Sequence, residues 1–425
     1  MPGRLPCVAR RLRGILSARS RSMPNSRSTS KLALFAPGIL LAATGVGAGD
    51  LLTATLAGSE AGLTVIWAVV VGAFLKWVLA EGLARWQLAT GTTLLEGWNN
   101  RLGTWIRWLF MVYLTVFSLV VGAALVTACG VAGAAILPIG DVETSRLVWG
   151  TVHSLVGLAL IWRGSFAFFQ RIMSVLVGVM FVTVLATAVA SGPDWGAVAR
   201  GLIPSMPSTG SIWVLAVLGG VGGTVTLLSY GYWIREQGRN GLADVSRCRV
   251  DLALGNGITG LFGIAVIIIG SKLELEGSGS TLAIEMAAQL EAVMGPAGKW
   301  LFLAGFWGAV FSSLLGVWQS IPYLFADFWH LTRGQETPVE GLTRTKPYRL
   351  YLLAITFAPL VFLGYPVRQI QLFYGVFGAF FLPVLAVTLL ILNSREDWVG
   401  KQFTTHWSLN AVLVGAVVLF VYLAI

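Results

Sequence analysis

Long runs of apolar residues without a single charge dominate this chain. The run from Gly201 to Ile234 contains no Asp, Glu, Lys or Arg, and it exceeds the roughly 20 residues that a helix needs to cross a hydrocarbon core about 30 Å thick. Of the 425 residues, 56% are hydrophobic and only 11% are charged, and the mean hydropathy is +0.78. Soluble proteins rarely have this composition. The sequence therefore predicts a polytopic membrane protein.

Apolar runs separated by charged loops predict about eleven membrane spans. Lipid offers no water to satisfy backbone groups, and the runs lack the short alternating segments of a barrel, so the spans should be α-helices. The predicted fold class is an all-α polytopic membrane protein with one membrane domain over residues 32–425. The spans are predicted to start near Leu32, Leu63, Trp108, Leu147, Phe166, Ile212, Leu252, Trp300, Leu350, Gln371 and Trp407.

The Lys and Arg residues are distributed unevenly between the two sides of these spans. With the N-terminus inside, 23 of the 29 fall on the inner side and five on the outer side, while Lys76 lies within a span. This is the positive-inside pattern, so topology explains the net charge of +10 without nucleic-acid binding. We expect an integral protein of a bacterial inner membrane, surrounded by the lipid bilayer, with its N-terminus in the cytoplasm and its C-terminus outside.

The first 31 residues differ from the rest of the chain. They are rich in Arg and Ser and contain no acidic residue, which predicts a disordered basic cytoplasmic tail. A transit peptide has a similar composition, and Met23 is an alternative start. The three cysteines, Cys7, Cys129 and Cys248, fall in the tail, a span and an inner loop. They imply no disulfide framework and no Cys-rich metal site.

Motifs of common catalytic and nucleotide-binding sites are missing. The chain has no Walker A loop, no Cys-x-x-Cys and no His-Glu-x-x-His, and its three histidines are too scattered to hold haem. We therefore expect a protein that is not an enzyme and has no cofactor, and no ATPase subunit is evident as a partner. A secondary transporter or facilitator fits these features.

Two glycine-rich segments recur five spans apart, GVGAG at 45–49 and GGVGG at 219–223. Glycine-interrupted spans at corresponding positions of two halves are typical of inverted-repeat transporters. Glycines that only allow close helix packing are the alternative. The first interpretation predicts repeat one at about 32–191, repeat two at about 212–393 and an extra helix at about 407–425.

Asp50 directly follows the first glycine segment, inside a predicted span. A carboxylate in lipid costs about 2.5–3.5 kcal/mol on translocon scales, so it is normally retained for transport or charge pairing. An unwound helix exposes carbonyls and half-helix ends that coordinate a cation beside it. Contact with an ion or substrate and structural pairing with Lys76 in the next span both remain open. Lys76 is also a candidate for a fixed internal cation that stands in for a coupling ion.

Three short motifs mark the first two spans: the AGS at Ala57–Ser59, the Gly-x-x-x-x-Trp at Gly62–Trp67 and the Ala-Thr-Gly at Ala89–Gly91. With these motifs, the two spans resemble those of the NRAMP divalent-metal transporters. The sixth span, GGTVTLLSYGYWIREQGR, and the eighth, AGFWGAVFSSLLGVWQ, are more weakly similar. The resemblance implies a divergent member of the LeuT-fold amino acid-polyamine-organocation superfamily. It also implies two inverted five-helix repeats with broken helices 1 and 6, and metal uptake into the cytoplasm.

The family's metal ligands are only partly present in this chain. The family's Asp-Pro-Gly-Asn in the first helix aligns with residues 47–50, Gly-Ala-Gly-Asp, so Asp50 stands where the family has an amide. The family's Met-Pro-His in the sixth helix aligns with Thr226-Leu227-Leu228, so a hydroxyl replaces the thioether. Oxygen ligands suit hard cations such as Mg²⁺ or Ca²⁺, and NRAMP-related magnesium transporters also lack the methionine. The expected substrate is a small inorganic divalent cation of the Mg, Mn or Fe class.

A coupling proton is a further candidate, but its carriers are few. The third span, 108–137, has no Asp, Glu or His, where the family has acidic residues. Glu81 and Arg85 have the i, i+4 spacing of a helical ion pair and are expected to form a structural pair. Asp327 is interpreted as a boundary residue at the inner end of the eighth span. Gln371 begins the tenth span, near the place where the family has a metal-contacting glutamine.

The candidate functional residues fall into two sets. The candidate metal- or substrate-binding residues are Asp50, Gly47, Thr226, Ser229, Tyr230 and Gln371. The coupling or charge-pair candidates are Lys76, Glu81 and Glu60. No catalytic residue is predicted.

Two alternatives to metal transport remain open. The first is a LeuT-fold transporter of a small organic solute that has lost the metal site, because Gly47 and Thr226 replace family ligands and aromatic residues such as Tyr230 and Tyr232 lie nearby in sequence. The second is a non-transporting membrane sensor, which is less expected because no soluble domain long enough to signal is appended. The substrate preference of the transport reaction separates the first alternative from metal transport.

Overall fold

The fold is seen in a computed structural model, which describes residues 47, 49–164, 166–236, 238–239, 241–273, 279–334 and 341–425. The regular elements of these residues are all helical, and the described residues belong to one compact unit. The predicted tail and the start of the first predicted span, near Leu32, lie outside the described residues. The α-helices are α1 (Ala54–Ala61), α2 (Ile66–Thr90), α3 (Leu94–Gly97), α4 (Thr104–Ile136), α5 (Val142–Arg163), α6 (Phe166–Ala190), α7 (Trp195–Gly201), α8 (Ile212–Gly220), α9 (Leu227–Glu236), α10 (Leu242–Gly270), α11 (Leu282–Thr332), α12 (Lys346–Phe357), α13 (Val367–Ala379), α14 (Phe381–Asn393), α15 (Glu396–Val399) and α16 (Trp407–Ala424).

Shorter helical turns connect these helices. A π-helical turn at Gly49–Thr53 leads into α1, and a second one, Trp98–Leu102, precedes α4. Four 3₁₀ turns occupy Gly62–Val65, Leu342–Arg344, Ala358–Phe362 and Lys401–Phe403.

The predicted spans coincide with helical segments wherever the structure describes them. Ile212 and Trp407 are the first residues of α8 and α16, and Leu63 lies in the 3₁₀ turn before α2. Hydropathy places these helices correctly because burying an apolar helix in lipid needs no partner of specific shape.

The predicted number of eleven spans is not confirmed by a count of continuous helices. Within the described residues, seven helical stretches are long and apolar enough to cross a membrane, and the pair 177–190 and 195–201 adds an eighth that is bent by 117°. The sixth predicted span is not among these stretches because it is interrupted between α8 and α9. The ninth falls short because α12 ends at Phe357 and continues as a 3₁₀ turn.

Helix α11 contains a segment that the hydropathy pattern did not predict. Its 51 residues consist of two helices merged across Gly295, whose φ of 71° and ψ of −173° are not helical. The first of these, 282–294, buries Leu282, Met286 and Leu290, which have the i, i+4, i+8 spacing of an amphipathic helix. The segment is too short to span the bilayer, so hydropathy, which identifies membrane spans, does not detect it.

The interrupted helix α8–α9 occupies the middle of the bundle. Helix α8 packs against α13 and α2, and α9 packs against α2. Helix α16 packs on α14 and α2 and is mostly exposed, as expected for an extra helix outside two repeats. Ion pairs link the ends of the helices. The end that carries the Arg249–Glu81 and Arg235–Glu96 pairs is called the basic end below, and the opposite end carries the Arg368–Glu60 pair.

Candidate functional site

The sixth predicted span breaks where its glycines cluster. Helix α8 ends at Gly220, Val221 is extended, and α9 begins six residues later at Leu227. Gly222 and Gly223 have φ values of 80° and 63°, in the left-handed region that glycine adopts without a steric penalty. The break therefore exposes the last carbonyls of α8 and the first amides of α9 near the middle of the bundle.

A small cavity lies against this break. Its volume is about 20 Å³, which is close to the smallest space that holds one water molecule. Four of its lining residues carry hydroxyl groups, and three others are glycines that leave backbone atoms accessible. The lining residues are Gly47, Gly49, Phe117, Val121, Leu125, Gly223, Thr224, Val225, Thr226, Ser313, Val317 and Tyr374.

The first predicted span reaches the same place. A Cβ on Gly49 would lie 2.0 Å from the carbonyl oxygen of Gly220, and one on Gly47 would lie 1.8 Å from Oγ of Ser313. Real Cβ atoms do not approach so closely, so these two positions require glycine. The glycine segments paired by the sequence analysis thus meet each other in the fold, and both line the cavity.

Three of the predicted binding residues lie at or near this cavity, and the side chain of a fourth is outside the described residues. Gly47 and Thr226 line it directly. Gln371 is fully buried on α13, where its Nε2 donates to the carbonyl of Ala124 at 2.9 Å and its Oε1 accepts from Thr53 Oγ1 at 3.5 Å. The backbone of Asp50 belongs to the π-helical turn beside Gly49, and its side chain is the one not described.

Lys76 holds the broken end of α8. Its side chain is only 1% exposed, and its Nζ donates to the carbonyl oxygen of Val221 and, at 3.4 Å, to that of Gly219. The carbonyls at a helix C-terminus carry a partial negative charge and lack intrahelical partners. An ammonium group is therefore a favourable partner for them. Lys76 also has contacts beyond these two.

The other two predicted binding residues are on α9 and do not line the cavity. Tyr230 is fully buried, and its hydroxyl donates to Oδ2 of Asp251 on α10 at 3.1 Å. Ser229 is buried and is not among the cavity-lining residues.

The predicted Glu81–Arg85 pair is present, and Glu60 also forms an ion pair, whereas the alternative pairing of Asp50 with Lys76 involves a side chain outside the described residues. Glu81 forms ion pairs with Arg85 and, at 2.8 Å, with Arg249, and it is almost fully buried. At the opposite end, Glu60 pairs with Arg368 and so links α1 to α13. Both arrangements join neighbouring segments, which is what a structural pair does.

Sequence reasoning missed a pair of buried tyrosine–aspartate hydrogen bonds at the basic end. Tyr232 donates to Oδ2 of Asp327 on α11, as Tyr230 does to Asp251 on α10. Asp327 lies five residues before the end of α11, as expected for a boundary residue, and it is fully buried there. The signal available in the sequence was the i, i+2 pair of tyrosines on one short helix, but their partners lie far away in the chain.

The connection between α2 and α4 adds a carboxyl group to this region. Glu96 caps α3 through a capping box with Thr93 and pairs with Arg235 at 3.9 Å. Burial raises the pKa of the Glu96 carboxyl above its ordinary value, and the nearby Asp327 raises it further, while hydrogen bonds from Thr93 and the charge of Arg235 act in the other direction. Carboxylates and tyrosines thus surround the end of α9.

Comparison with known proteins agrees with this architecture. The family model described as natural resistance-associated macrophage protein-like (Nramp) matches residues 38–425. The chain belongs to the NRAMP family. A divalent metal cation transporter, MntH 1, of Pseudomonas aeruginosa is 28% identical over 276 residues, which are 60% of each protein. An uncharacterized protein of Pasteurella multocida is 26% identical over 203 residues, 45% of this chain and 42% of that protein.

Solved structures share the fold of this NRAMP chain. The manganese transporter of Eremococcus coleocola superposes with a TM-score of 0.71 at 16% identity, over 95% of this chain and 87% of that one. MhsT in complex with L-phenylalanine gives a TM-score of 0.60 at 15% identity, over 95% of this chain and all of the other. The predicted fold class, a LeuT-type helical membrane protein, is confirmed. This NRAMP protein is an integral membrane protein.

The Tyr232–Asp327 bond leads to a prediction for the basic end of this NRAMP protein. Tyr232→Phe should loosen α9 from α11, because a buried hydrogen bond to a charged group contributes about 1.5–3 kcal/mol. Cys248, on α10 at the same end, is 1% exposed and reports opening. We expect its labelling by N-ethylmaleimide, measured by mass spectrometry of its peptide, to become at least about tenfold faster.

The matched control is Tyr422→Phe, which removes a hydroxyl from a residue that is 67% exposed on α16. It should leave the labelling rate of Cys248 unchanged. An unchanged rate in Tyr232→Phe as well would show that this bond does not hold the basic end closed.

Proposed function

We propose that the chain is a secondary transporter or facilitator, not an enzyme, that moves a divalent metal cation across the membrane by alternating access. The cation class is Mg, Mn or Fe. Membership of the NRAMP family and the curated relative named as a divalent metal cation transporter support this proposal. The matched relatives are covered only in part, so the substrate is inferred from the site of this chain.

The size and lining of the central cavity carry the proposal. About 20 Å³ beside the break between α8 and α9 suits one small ion or one water molecule, and it is far below the 300–1,000 Å³ of typical sites for organic ligands. Thr224, Thr226, Ser313 and Tyr374 supply oxygen atoms, which are the ligands that hard divalent cations prefer. The organic-solute alternative is therefore less well supported.

The proposed ligands are Asp50, the carbonyls near Gly47 and from Val221 to Thr224, and the hydroxyl of Thr226, with some of the ion's water retained. Gln371 would support the ligands without binding the ion itself, because its side-chain amide already hydrogen-bonds to the carbonyl of Ala124 and to Oγ1 of Thr53. Ser313, which the sequence analysis did not select, joins the set because it lines the cavity opposite Gly47. Rocking of one group of helices against the second group then opens the cavity to the opposite side of the membrane.

The topology remains part of the proposal. The basic end, where Arg85, Arg235, Arg249 and Arg333 lie, would face the cytoplasm, as the positive-inside rule requires. A cytoplasmic N-terminus and an external C-terminus belong to this orientation, and a bacterial inner membrane is the proposed location. Lys76 would serve as the fixed cation at the helix break, and Glu60 and Glu81 as structural charge pairs.

Uptake of Mn²⁺, Mg²⁺ and Ca²⁺ into proteoliposomes tests the proposal. Asp50→Ala should lower uptake by at least about a hundredfold, since even the partners of metal ligands contribute about 10–100-fold to metal affinity or activity. Thr226→Val should lower uptake, and Thr226→Ser should restore it, because only the serine keeps the hydroxyl oxygen.

Asp397→Ala is the matched control, since it removes an exposed carboxylate from α15, far along the chain from the cavity residues. It should transport as the native protein does. If no metal moves although the protein is folded and monodisperse, the metal proposal is wrong and organic solutes must be screened.

A further inference from the structure

A second, larger concavity lies at the basic end, where α11 ends and α12 begins. Its volume is about 550 Å³, more than twenty times that of the central cavity. Four residues, Phe325, Trp329, Leu350 and Tyr351, form an apolar wall, and three basic residues, His330, Arg333 and Lys346, stand along it. We call this concavity the α11–α12 groove. It takes no part in the transport site described above.

The apolar wall of the groove is held in place by packing. The rings of Phe325 and Tyr351 stack with centroids 4.2 Å apart and planes inclined by 22°. The hydroxyl of Tyr351 lies 2.9 Å from Oγ of Ser118 on α4, so this hydrogen bond fixes the inner ring of the wall. Leu350 remains 66% exposed. The wall is therefore a preformed apolar surface that presents little of its own hydrogen-bonding capacity outward.

The charged residues that the structure describes along the groove are all basic. The guanidinium of Arg333 stacks over Trp329, with Cζ 4.8 Å from the ring centroid, an arrangement that leaves its N–H groups free to reach beyond the ring edge. Lys346 is exposed at the first position of α12. Among the described residues that line the groove, none is acidic.

The start of α12 adds to the positive potential. Its N-cap residue, Thr345, makes no side-chain cap bond, because its Oγ1 donates to the carbonyl of Leu342 instead. In the first turn of α12, Pro347 has no amide N–H, so the uncapped amides are those of Lys346 and Tyr348. A helix N-terminus of this kind attracts phosphate groups.

We propose that the α11–α12 groove binds one anionic phospholipid. The phosphate would lie between Arg333, Lys346 and the start of α12, and an acyl chain would cover the wall made by Phe325, Leu350 and Tyr351. Basic pockets between membrane helices on the cytoplasmic side are suited to such headgroups. An apolar wall directly beside the cations fits a lipid better than a free phosphate, which would leave the wall uncovered.

Native mass spectrometry of the purified full chain tests this proposal with dioleoyl phosphatidylglycerol and dioleoyl phosphatidylcholine. The native protein should retain one phosphatidylglycerol more tightly than phosphatidylcholine. The double variant Arg333→Gln/Lys346→Gln should bind phosphatidylglycerol about thirtyfold more weakly, which is the effect of removing two cations that act near an anionic headgroup. Both residues are exposed, so the variant should fold.

A control variant with the same change in charge distinguishes lipid binding in the groove from a general attraction to the positive charge at this end. Arg344→Gln/Lys401→Gln neutralises two exposed cations that do not line the groove, and it should bind the lipid as the native protein does. An equal loss in both double variants, or equal binding of the two lipids, would overturn the proposal. Displacement of the lipid by millimolar inorganic phosphate would point to a free phosphate site instead. None of these readouts depends on transport.

Discussion

Gly219→Ala should leave little folded protein. A Cβ at this position would lie 1.9 Å from the carbonyl oxygen of Gly375 and 2.3 Å from the amide nitrogen of Ala379. Both are backbone atoms of α13, so no side chain can turn away to make room. Overpacking of a core typically costs about 1–3 kcal/mol even when side chains can adjust. A clash between two backbones should exceed that range and consume much of a total stability of about 5–15 kcal/mol.

The measurement is the yield of monodisperse protein by size-exclusion chromatography, followed by the midpoint of thermal unfolding. Gly257→Ala is the matched control, because Gly257 lies within α10 and a Cβ there meets nothing within 4 Å. This control should be neutral or slightly stabilising, since alanine favours a helix by about 1 kcal/mol over glycine. Native-like yield and midpoint for Gly219→Ala would show that α8 and α13 are not in backbone contact.

The location of the broken helix could be predicted from the sequence, because its cause is local. Glycines at 219–223 interrupt an apolar run, and a left-handed φ at Gly222 and Gly223 follows from the freedom of the residue itself. Gly47 and Thr226 were predicted as binding residues by alignment with the family's ligand motifs, and both line the cavity. Most span positions follow from hydropathy for a similar reason, since each span satisfies its own backbone.

The partners of polar residues could not be predicted, because they depend on packing between distant segments. Tyr230 was expected at the transport path on the grounds of its nearness to the break, yet its hydroxyl bonds Asp251, 21 residues away. Tyr232 and Asp327 are 95 residues apart. No periodicity within one span predicts which neighbouring helix faces it, so these buried carboxylates became visible only in the fold.

Lys76→Met should lower metal uptake by about tenfold while the protein remains folded. The substitution removes the donor to the carbonyl of Val221, and a buried polar group left without a partner costs about 1–3 kcal/mol. The carbonyl of Gly219 loses its 3.4 Å bond from Lys76 but keeps the one from Oγ1 of Thr224. The broken end of α8 would then lose the cation that neutralises its partial negative charge. Since Val221 and Gly219 directly precede the cavity-lining residues, the cavity should lose its geometry as well.

If Lys76 is a fixed cation that stands in for a coupling ion, a second and more specific result is expected. The carbonyl of Val221, which loses its donor in Lys76→Met, lies in the non-helical segment after α8. Carbonyls of unwound helices coordinate monovalent cations in transporters of this architecture. Uptake by Lys76→Met should therefore recover with about 100 mM Na⁺ or K⁺, whereas the native protein should be indifferent to these ions because its own ammonium fills the position.

Lys272→Met provides the matched control. Lys272 also donates to two backbone carbonyls, those of Ser191 and Gly192, but it is exposed at the other end of the bundle, where water can replace it. Its uptake should equal that of the native protein with or without Na⁺. Normal uptake by Lys76→Met would mean that the ammonium is dispensable, and a loss that neither Na⁺ nor K⁺ restores would mean that Lys76 supports the fold of the break without standing in for a coupling ion.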